Sequence, residues 1–144
     1  MSRPAPPPAL VEDETRLLAG FVPLAGARVL DLGCGAADFS RRLLAGGLVA
    51  RVDALEVDAR QHAANLAAAP VPGLAFGEGG ADDIPFPDES HDLVIMLKSL
   101  HHVPVDRMDR ALGEIARVLR PGGHFYASEP VFAGELNEIV RLFH

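Results

Sequence analysis

Two glycines and two acidic residues have the spacing of a site that could hold a nucleoside. Asp31 ends a short apolar run and is followed by Gly33 and Gly35. Glycine adopts backbone angles that are closed to other residues, and its missing Cβ lets a ligand approach the main chain. Glu56 stands 21 residues after Gly35, where an acid at the end of a neighbouring strand could accept hydrogen bonds from both hydroxyls of a ribose. A solvated acid at a strand end is the simpler alternative for Glu56.

The charge around the glycine turn argues against a dinucleotide as its ligand. A dinucleotide fingerprint would have its third glycine at the position of Asp38. A carboxylate at that position, together with Asp31 just before the turn, would repel a pyrophosphate. The turn is therefore expected to suit a cationic or zwitterionic ligand, and a turn without any ligand is the alternative.

Two adjacent histidines are the candidates for acid–base chemistry. His101 and His102 follow a long apolar run, and an unperturbed histidine pKa near working pH would let either side chain accept a proton from a substrate. The simpler alternative is that one of them packs and the other is solvated. No third ligand stands at a recognisable spacing, so no metal site is predicted.

Hydrophobic periodicity predicts strands that alternate with helices. Strands are expected at about 28–31, 48–56, 74–77, 91–97 and 124–128, and helices at about 9–19, 38–45, 58–69, 106–119 and 131–143. The run 91–97 is nearly all apolar, which is typical of a central parallel strand buried on both faces. Asp53, in the middle of the second strand, is expected near an exposed face, and residues 121–123 (PGG) are expected to end the helix before them. The alternation predicts an α/β fold: a doubly wound parallel sheet with helices on both faces.

The composition limits the class of protein. A chain of 144 residues is long enough for one domain with its own core, here predicted at 9–144 after a proline-rich, disordered tail at 1–8. The net charge of −7 argues against nucleic-acid partners. The single cysteine excludes an internal disulfide, and no apolar run is long enough to span a bilayer. A cytoplasmic location is the default expectation.

Two motifs carry a resemblance to a known family. The segment VLDLGCGAADF at 29–39 resembles the first motif of class I S-adenosylmethionine (SAM)-dependent methyltransferases, written acid-x-Gly-x-Gly-x-Gly, with Ala37 at the third glycine. The segment LEVDAR at 55–60 fits the second motif, in which Glu56 would bind the ribose and Val57 would lie beside it. Asp58 is the competing acid, and we prefer it as the N-cap of the next helix.

Three later segments extend the resemblance. GGADDIPFPDESHDLV at 79–94 resembles the third motif, in which Ala81 and Asp82 would meet the adenine, although Gly80 replaces the usual Asp and a turn with solvated acids is the alternative. LKSLHHV at 97–103 resembles the fourth motif, in which Leu97 would border the sulfonium end of the cofactor. RVLRPGG at 117–123 matches a structural segment of the family.

The resemblance implies a small-molecule methyltransferase similar to those of quinone biosynthesis. The cofactor would be SAM, held by Asp31, Gly33, Cys34, Gly35, Glu56, Val57, Ala81, Asp82 and Leu97. His101 would be the catalytic base, while Cys34 is ordinary at this turn and is not predicted to be a nucleophile. The family's Rossmann-like sheet has the order 3-2-1-4-5-7-6, so five strands are expected here and strands six and seven are missing.

The sequence leaves two other functions open. A SAM-binding or degenerate module that serves a protein partner without turnover is favoured by the missing strands and opposed by the intact first two motifs. An NAD-dependent oxidoreductase is weakened by Asp38 and by the absence of a catalytic Tyr-Lys pair. The fifth strand would have an open edge, which could pair in a homodimer.

Overall fold

The computed structural model describes residues 13–130 of the chain. The strands are β1 Arg28–Leu32, β2 Arg51–Glu56, β3 Leu74–Glu78, β4 His91–Leu97 and β5 Leu119–Ser128. The α-helices are α1 Glu14–Phe21, α2 Asp38–Ala45, α3 Ala59–Ala67 and α4 Met108–Val118, with short 3-10 turns at Leu100–His102 and Val105–Arg107 before α4. The predicted tail at 1–8, the start of the first predicted helix and the last predicted helix lie outside the described residues.

The five strands form one parallel sheet in the order β3-β2-β1-β4-β5. This arrangement confirms the predicted doubly wound α/β fold and the strand order that the resemblance implies. β1 lies in the centre, between β2 and β4, so the glycine turn that follows β1 opens where the strand order reverses. Ligands of open parallel sheets bind at the carboxyl side of such a point.

Aliphatic side chains form a core on each face of the sheet. Successive residues of a strand point to opposite faces, so Val29 packs in one cluster with α1 and α2, while Leu30 packs in the other with α4. In β4, residues 93–96 are fully or almost fully buried. This burial on both faces explains why the strand is nearly continuous in apolar residues.

Local signals set the ends of two helices. Asp58 caps α3, because its Oδ1 accepts the backbone N–H groups of Arg60 at 2.8 Å and Gln61 at 3.0 Å, as the sequence predicted. Ala37 precedes α2 in the left-handed conformation, with φ +60°. That conformation costs a non-glycine residue roughly 1–2 kcal/mol, which explains why the resembled family has glycine there.

The prediction that Asp53 lies near an exposed face is wrong. Its side chain is only 4% exposed, and its Oδ2 accepts from Arg28 Nε at 2.9 Å and contacts His91 Nε2 at 2.8 Å. Arg51 Nη2 lies 3.2 Å from the other carboxylate oxygen, and Ser90 Oγ contacts the second ring nitrogen of His91. Burial opposes ionisation, yet the hydrogen bonds from His91 and Arg28 lower the pKa of Asp53 to about 2. We call these five residues the amino-edge network, because β1, β2 and β4 begin there.

Several predicted element ends also differ from the structure. β2 begins at Arg51 rather than at residue 48. The helix α4 ends at Val118, before the proline and glycines that were expected to end it, and β5 begins at Leu119. The pairing of β4 with β5 then shifts register, since His91 opposes Leu119 and Leu93 opposes His124. The PGG segment therefore lies within the first half of β5 and does not directly follow α4.

Candidate functional site

A cavity of about 430 Å³ opens at the carboxyl ends of β1, β2 and β4. Its size lies within the usual range for small-molecule sites. It is lined by Leu32, Gly33, Gly35, Glu56, Val57, Gly79, Gly80, Ala81, Asp82, Met96, Lys98, Ser99, His102, Val103, Pro104 and Arg107. Six of the ten residues that the sequence assigned to a site therefore come together in one cavity.

The glycine turn is pinned to both neighbouring strands. The N–H groups of Gly33 and Cys34 both donate to the carbonyl oxygen of Leu55, each at 3.0 Å. Ser99 Oγ donates to the carbonyl oxygen of Leu32 at 2.9 Å. Gly33 has φ +70°, and a Cβ at this position would lie 2.7 Å from the Cβ of Ser99. Only glycine allows the two loops to approach this closely.

Glu56 forms the fixed acidic wall of the cavity. Its side chain is held by three backbone N–H groups: Oε2 accepts from Gly35 at 2.8 Å, and Oε1 accepts from Val57 at 2.9 Å and Asp58 at 3.0 Å. The two oxygens of an ionised carboxylate offer about four acceptor sites. Glu56 therefore ties the glycine turn to the end of β2 and keeps acceptor capacity for a ligand.

The loop after β3 forms the part of the cavity lining that lies beside Val57. Val57 is 66% exposed although it is apolar, and it lies at the cavity with buried Ala81. Asp82 Oδ2 accepts from Arg107 Nη1 at 3.3 Å, which joins this loop to the turn before α4. A Cβ on Gly80 would lie 3.2 Å from Val57 Cγ1, so the glycine that replaces the family's Asp relieves crowding. Sequence reasoning missed Arg107, because nothing local marks a partner 25 residues from Asp82.

Asp31 lies behind the turn rather than in the cavity lining. It is buried, and its Oδ2 accepts from Ser40 Oγ of α2 at 2.6 Å. Burial raises the pKa of Asp31 to about 6; the Ser40 hydrogen bond opposes the rise, and the nearby charge of Glu56 adds to it. A single hydrogen bond from a hydroxyl offsets only a small part of the free-energy cost of burying a carboxylate.

Leu97 and Cys34 also lie outside the cavity lining. Leu97 packs against the core cluster on the other face of the sheet, and the preceding Met96 lines the cavity instead. Burial raises the pKa of the Cys34 thiol to about 12, and the charges of Asp31 and Glu56 add to the rise. A thiol with this pKa holds its proton at neutral pH, so Cys34 has no thiolate character.

The two adjacent histidines differ in their surroundings, and the predicted base His101 is not part of the cavity lining. His102 lines the cavity, whereas His101 contacts Glu129 through Nδ1 and Oε2. Glu129 Oε1 also accepts the N–H of Leu100 at 2.8 Å, and the two histidine rings are 4.1 Å apart. Burial opposes ionisation of Glu129, but the hydrogen bonds from His101 and Leu100 hold its pKa below the ordinary value. Glu129 was missed because it follows a different strand.

Comparison with known proteins decides the family. A family profile described as a methyltransferase domain matches residues 30–127, which is more than half of the chain. The chain belongs to this family of SAM-dependent methyltransferases. The match begins within β1 and ends within β5, so it includes the glycine turn, Glu56 and the cavity. It confirms the resemblance stated from the sequence and disfavours the oxidoreductase alternative.

Curated relatives of the methyltransferase cover most of this chain. It is 41% identical over 107 residues to a fatty-acid O-methyltransferase of Mycolicibacterium smegmatis, covering 69% of this chain and 36% of that protein. It is 42% identical over 122 residues to a 27-O-demethylrifamycin SV methyltransferase of Amycolatopsis mediterranei, covering 79% and 44%. This chain therefore spans less than half the length of these relatives.

A solved structure gives the same result for the fold. The SAM-dependent methyltransferase from Mesorhizobium loti has a TM-score of 0.68 at 30% identity, and the match covers 80% of this chain and 52% of that one. Within residues 13–130, no helix is long and apolar enough to cross a membrane. The same residues contain no group of three or more potential metal ligands among His, Cys, Asp and Glu.

Proposed function

We propose that this methyltransferase domain transfers a methyl group from SAM to a small-molecule acceptor. The observation that carries the proposal is the Glu56 carboxylate, fixed by three backbone N–H groups at the wall of a cavity that the glycine turn also lines. The named relatives act on small molecules, a fatty acid and a rifamycin, which supports an acceptor of that class.

The chemistry of the residues that line the cavity suits SAM. The remaining acceptor site of Glu56 would take a ribose hydroxyl. Val57 and Ala81 offer apolar surface for an adenine, and Asp82 would accept from its amino group. Gly33 and Gly35 leave the main chain open to close approach. Asp31, Cys34 and Leu97 would act from behind the lining, Asp31 by placing negative charge near the cationic part of the ligand.

The reaction asks little chemistry of the protein. When bound, SAM supplies a methyl group whose bond to sulfur breaks with the electron pair left on sulfur, while a lone pair of the acceptor forms the new bond. The chain's own task is to hold the acceptor in line, and such positioning can supply roughly 7–11 kcal/mol at best. His101, oriented by Glu129, would take a proton from an acceptor that must lose one.

Calorimetry with S-adenosylhomocysteine (SAH), SAM and NAD tests the proposal. We expect SAH and SAM to bind and NAD to give no heat. Incubation with SAM and a mixture of small acids and alcohols should then produce SAH. Binding of NAD without any response to SAM would overturn the function, and binding of SAH without turnover would favour the non-catalytic module instead.

The outer edge of β5 supports a second proposal about partners. Within the described residues β5 pairs with β4 alone, and open sheet edges tend to pair with further strands. We propose that a second copy of the chain can pair there. Light scattering would test this: a dimer that Ala127→Pro disrupts supports edge pairing, and a monomer at all concentrations contradicts it.

A further inference from the structure

Lys98 has an unusual place in the chain. It is the only lysine among the thirteen Lys and Arg residues of the sequence. It directly follows β4 and lines the mouth of the cavity, where its side chain is exposed. Its backbone is left-handed, with φ +56°, and its N–H donates to the carbonyl oxygen of Ser128 at 2.7 Å. Backbone strain of this kind in a non-glycine residue is enriched at functional sites.

The charges of the cavity leave Lys98 without a carboxylate partner in the described part of the chain. The two acids at the lining are already engaged, since Asp82 pairs with Arg107 and Glu56 accepts three backbone N–H groups. None of the ion pairs within residues 13–130 includes Lys98. A compact ammonium group with three donors is therefore available to a ligand at the mouth.

We propose that Lys98 binds the acceptor through an anionic oxygen, and this inference rests on the proposed methyl transfer. The acceptor oxygen would belong to a carboxylate or to an ionised hydroxyl. Met96, Val103 and Pro104 also line the cavity, so the rest of the acceptor would be apolar. A neutral acceptor of the same shape would lack the charge-assisted hydrogen bond and would bind more weakly.

The two sources of an anionic oxygen differ in their need for a base. A carboxylic acid is already ionised at neutral pH, so Lys98 alone would hold it and His101 would have no proton to remove. A hydroxyl must first lose its proton, so an acceptor of that kind would use both Lys98 and His101. Variants of the two residues therefore distinguish the sources.

The single lysine allows a direct measurement. Protein grown with lysine labelled with carbon-13 at Cε gives one side-chain resonance, that of Lys98. The labelled protein is first saturated with SAH and then titrated with octanoate or with its neutral counterpart octanamide. We expect octanoate to move the resonance and to bind about tenfold more tightly than octanamide, in keeping with one charge-assisted hydrogen bond.

Variants separate the role of charge from general damage. Lys98→Met should lower octanoate affinity about tenfold and leave octanamide and SAH affinity unchanged, whereas Lys98→Arg should keep most of the preference. Arg110→Met is the matched control, because it removes an exposed cation on α4 that is not part of the cavity lining. It should change the affinity for neither octanoate nor octanamide.

The same titration with 4-nitrophenolate and 4-nitroaniline tests the ionised hydroxyl as the source of the anionic oxygen. His101→Gln should slow methylation of hydroxyl acceptors alone.

Each result decides something different. In one outcome the protein binds SAH and yet binds octanoate and octanamide equally well, and 4-nitrophenolate and 4-nitroaniline equally well. That result would overturn this inference and leave the proposed function standing. Loss of SAH binding in Lys98→Met, with the preference for octanoate kept, would make Lys98 a cofactor residue and would also overturn it. No response to SAH or SAM in the wild-type protein would overturn the proposed function and this inference with it.

Discussion

Replacing Asp31 with asparagine should make the protein more stable at neutral pH. Burial raises the pKa of Asp31 from 3.8 to about 6, so the folded protein holds this proton over a range in which the unfolded chain has released it. Stability is therefore highest below about pH 4 and falls as pH rises through about 6. A difference of about two units between the folded and unfolded pKa values lowers the free energy of unfolding at pH 7 by about 3 kcal/mol.

Asparagine never carries the buried charge, so Asp31→Asn removes this loss. Its amide oxygen can still accept from Ser40 Oγ, which lies 2.6 Å from the carboxylate in the wild-type protein. We expect the variant to gain up to about 3 kcal/mol in free energy of unfolding at pH 7. At pH 4 the two proteins should be about equally stable, since the carboxyl is then protonated when folded.

Urea unfolding of the ligand-free protein between pH 4 and pH 8 measures the effect. Asp83→Asn is the control, because Asp83 is exposed and should give parallel curves with the wild-type. Ser40→Ala should steepen the loss of stability with pH, as it removes the hydrogen bond that favours the ionised form. If Asp31→Asn destabilised the protein equally at pH 4 and pH 7, the buried charge would not be the dominant effect and the reasoning would fail.

Four further substitutions test the site and the sheet. Glu56→Ala should weaken SAH binding roughly 10- to 100-fold by calorimetry. Asp58→Ala should instead lower the free energy of unfolding by about 1 kcal/mol, because α3 loses its cap, and should leave SAH affinity intact. The reverse order of effects on affinity would contradict the assignment of Glu56 to the cofactor. Gly33→Ala should cost about 1–2 kcal/mol in unfolding free energy from its φ of +70°, and SAH affinity should fall because Ser99 must move; unchanged affinity would show that the turn does not shape the cavity. Asp53→Asn should cost about 2 kcal/mol at pH 7, since the folded pKa of about 2 gives stability that is present above pH 3.8 and is lost as pH falls through about 2; equal stability at pH 7 would refute the account of the amino-edge network.

Local patterns predicted much of the fold and part of the site. The apolar run of β4 and the helix at Asp38–Ala45 were predicted with the bounds that the structure has. The glycine turn, Glu56 and the Asp58 cap are short-range signals, because each depends on a strand end and the few residues after it. Parallel strands that end at one edge then bring such signals together.

The contacts that sequence reasoning missed join distant parts of the chain. Asp53 meets His91 across 38 residues, and His101 meets Glu129 across 28. No periodicity or turn chemistry specifies such partners, since they depend on which strands become neighbours and on their register. Aspartate is uncommon in strands, so the sequence alone does not explain Asp53, whereas its cationic partners in the structure do.

The amino-edge network keeps the charged contacts between strands away from the loops that form the cavity. Its charges sit at the end of the sheet where β1, β2 and β4 begin, and the cavity lies at the opposite end of the same strands. Loops at the cavity can therefore change during evolution without disturbing the interactions that fix strand order. A duplicated gene could therefore acquire loops for a new acceptor while inheriting the strand contacts at the amino edge intact.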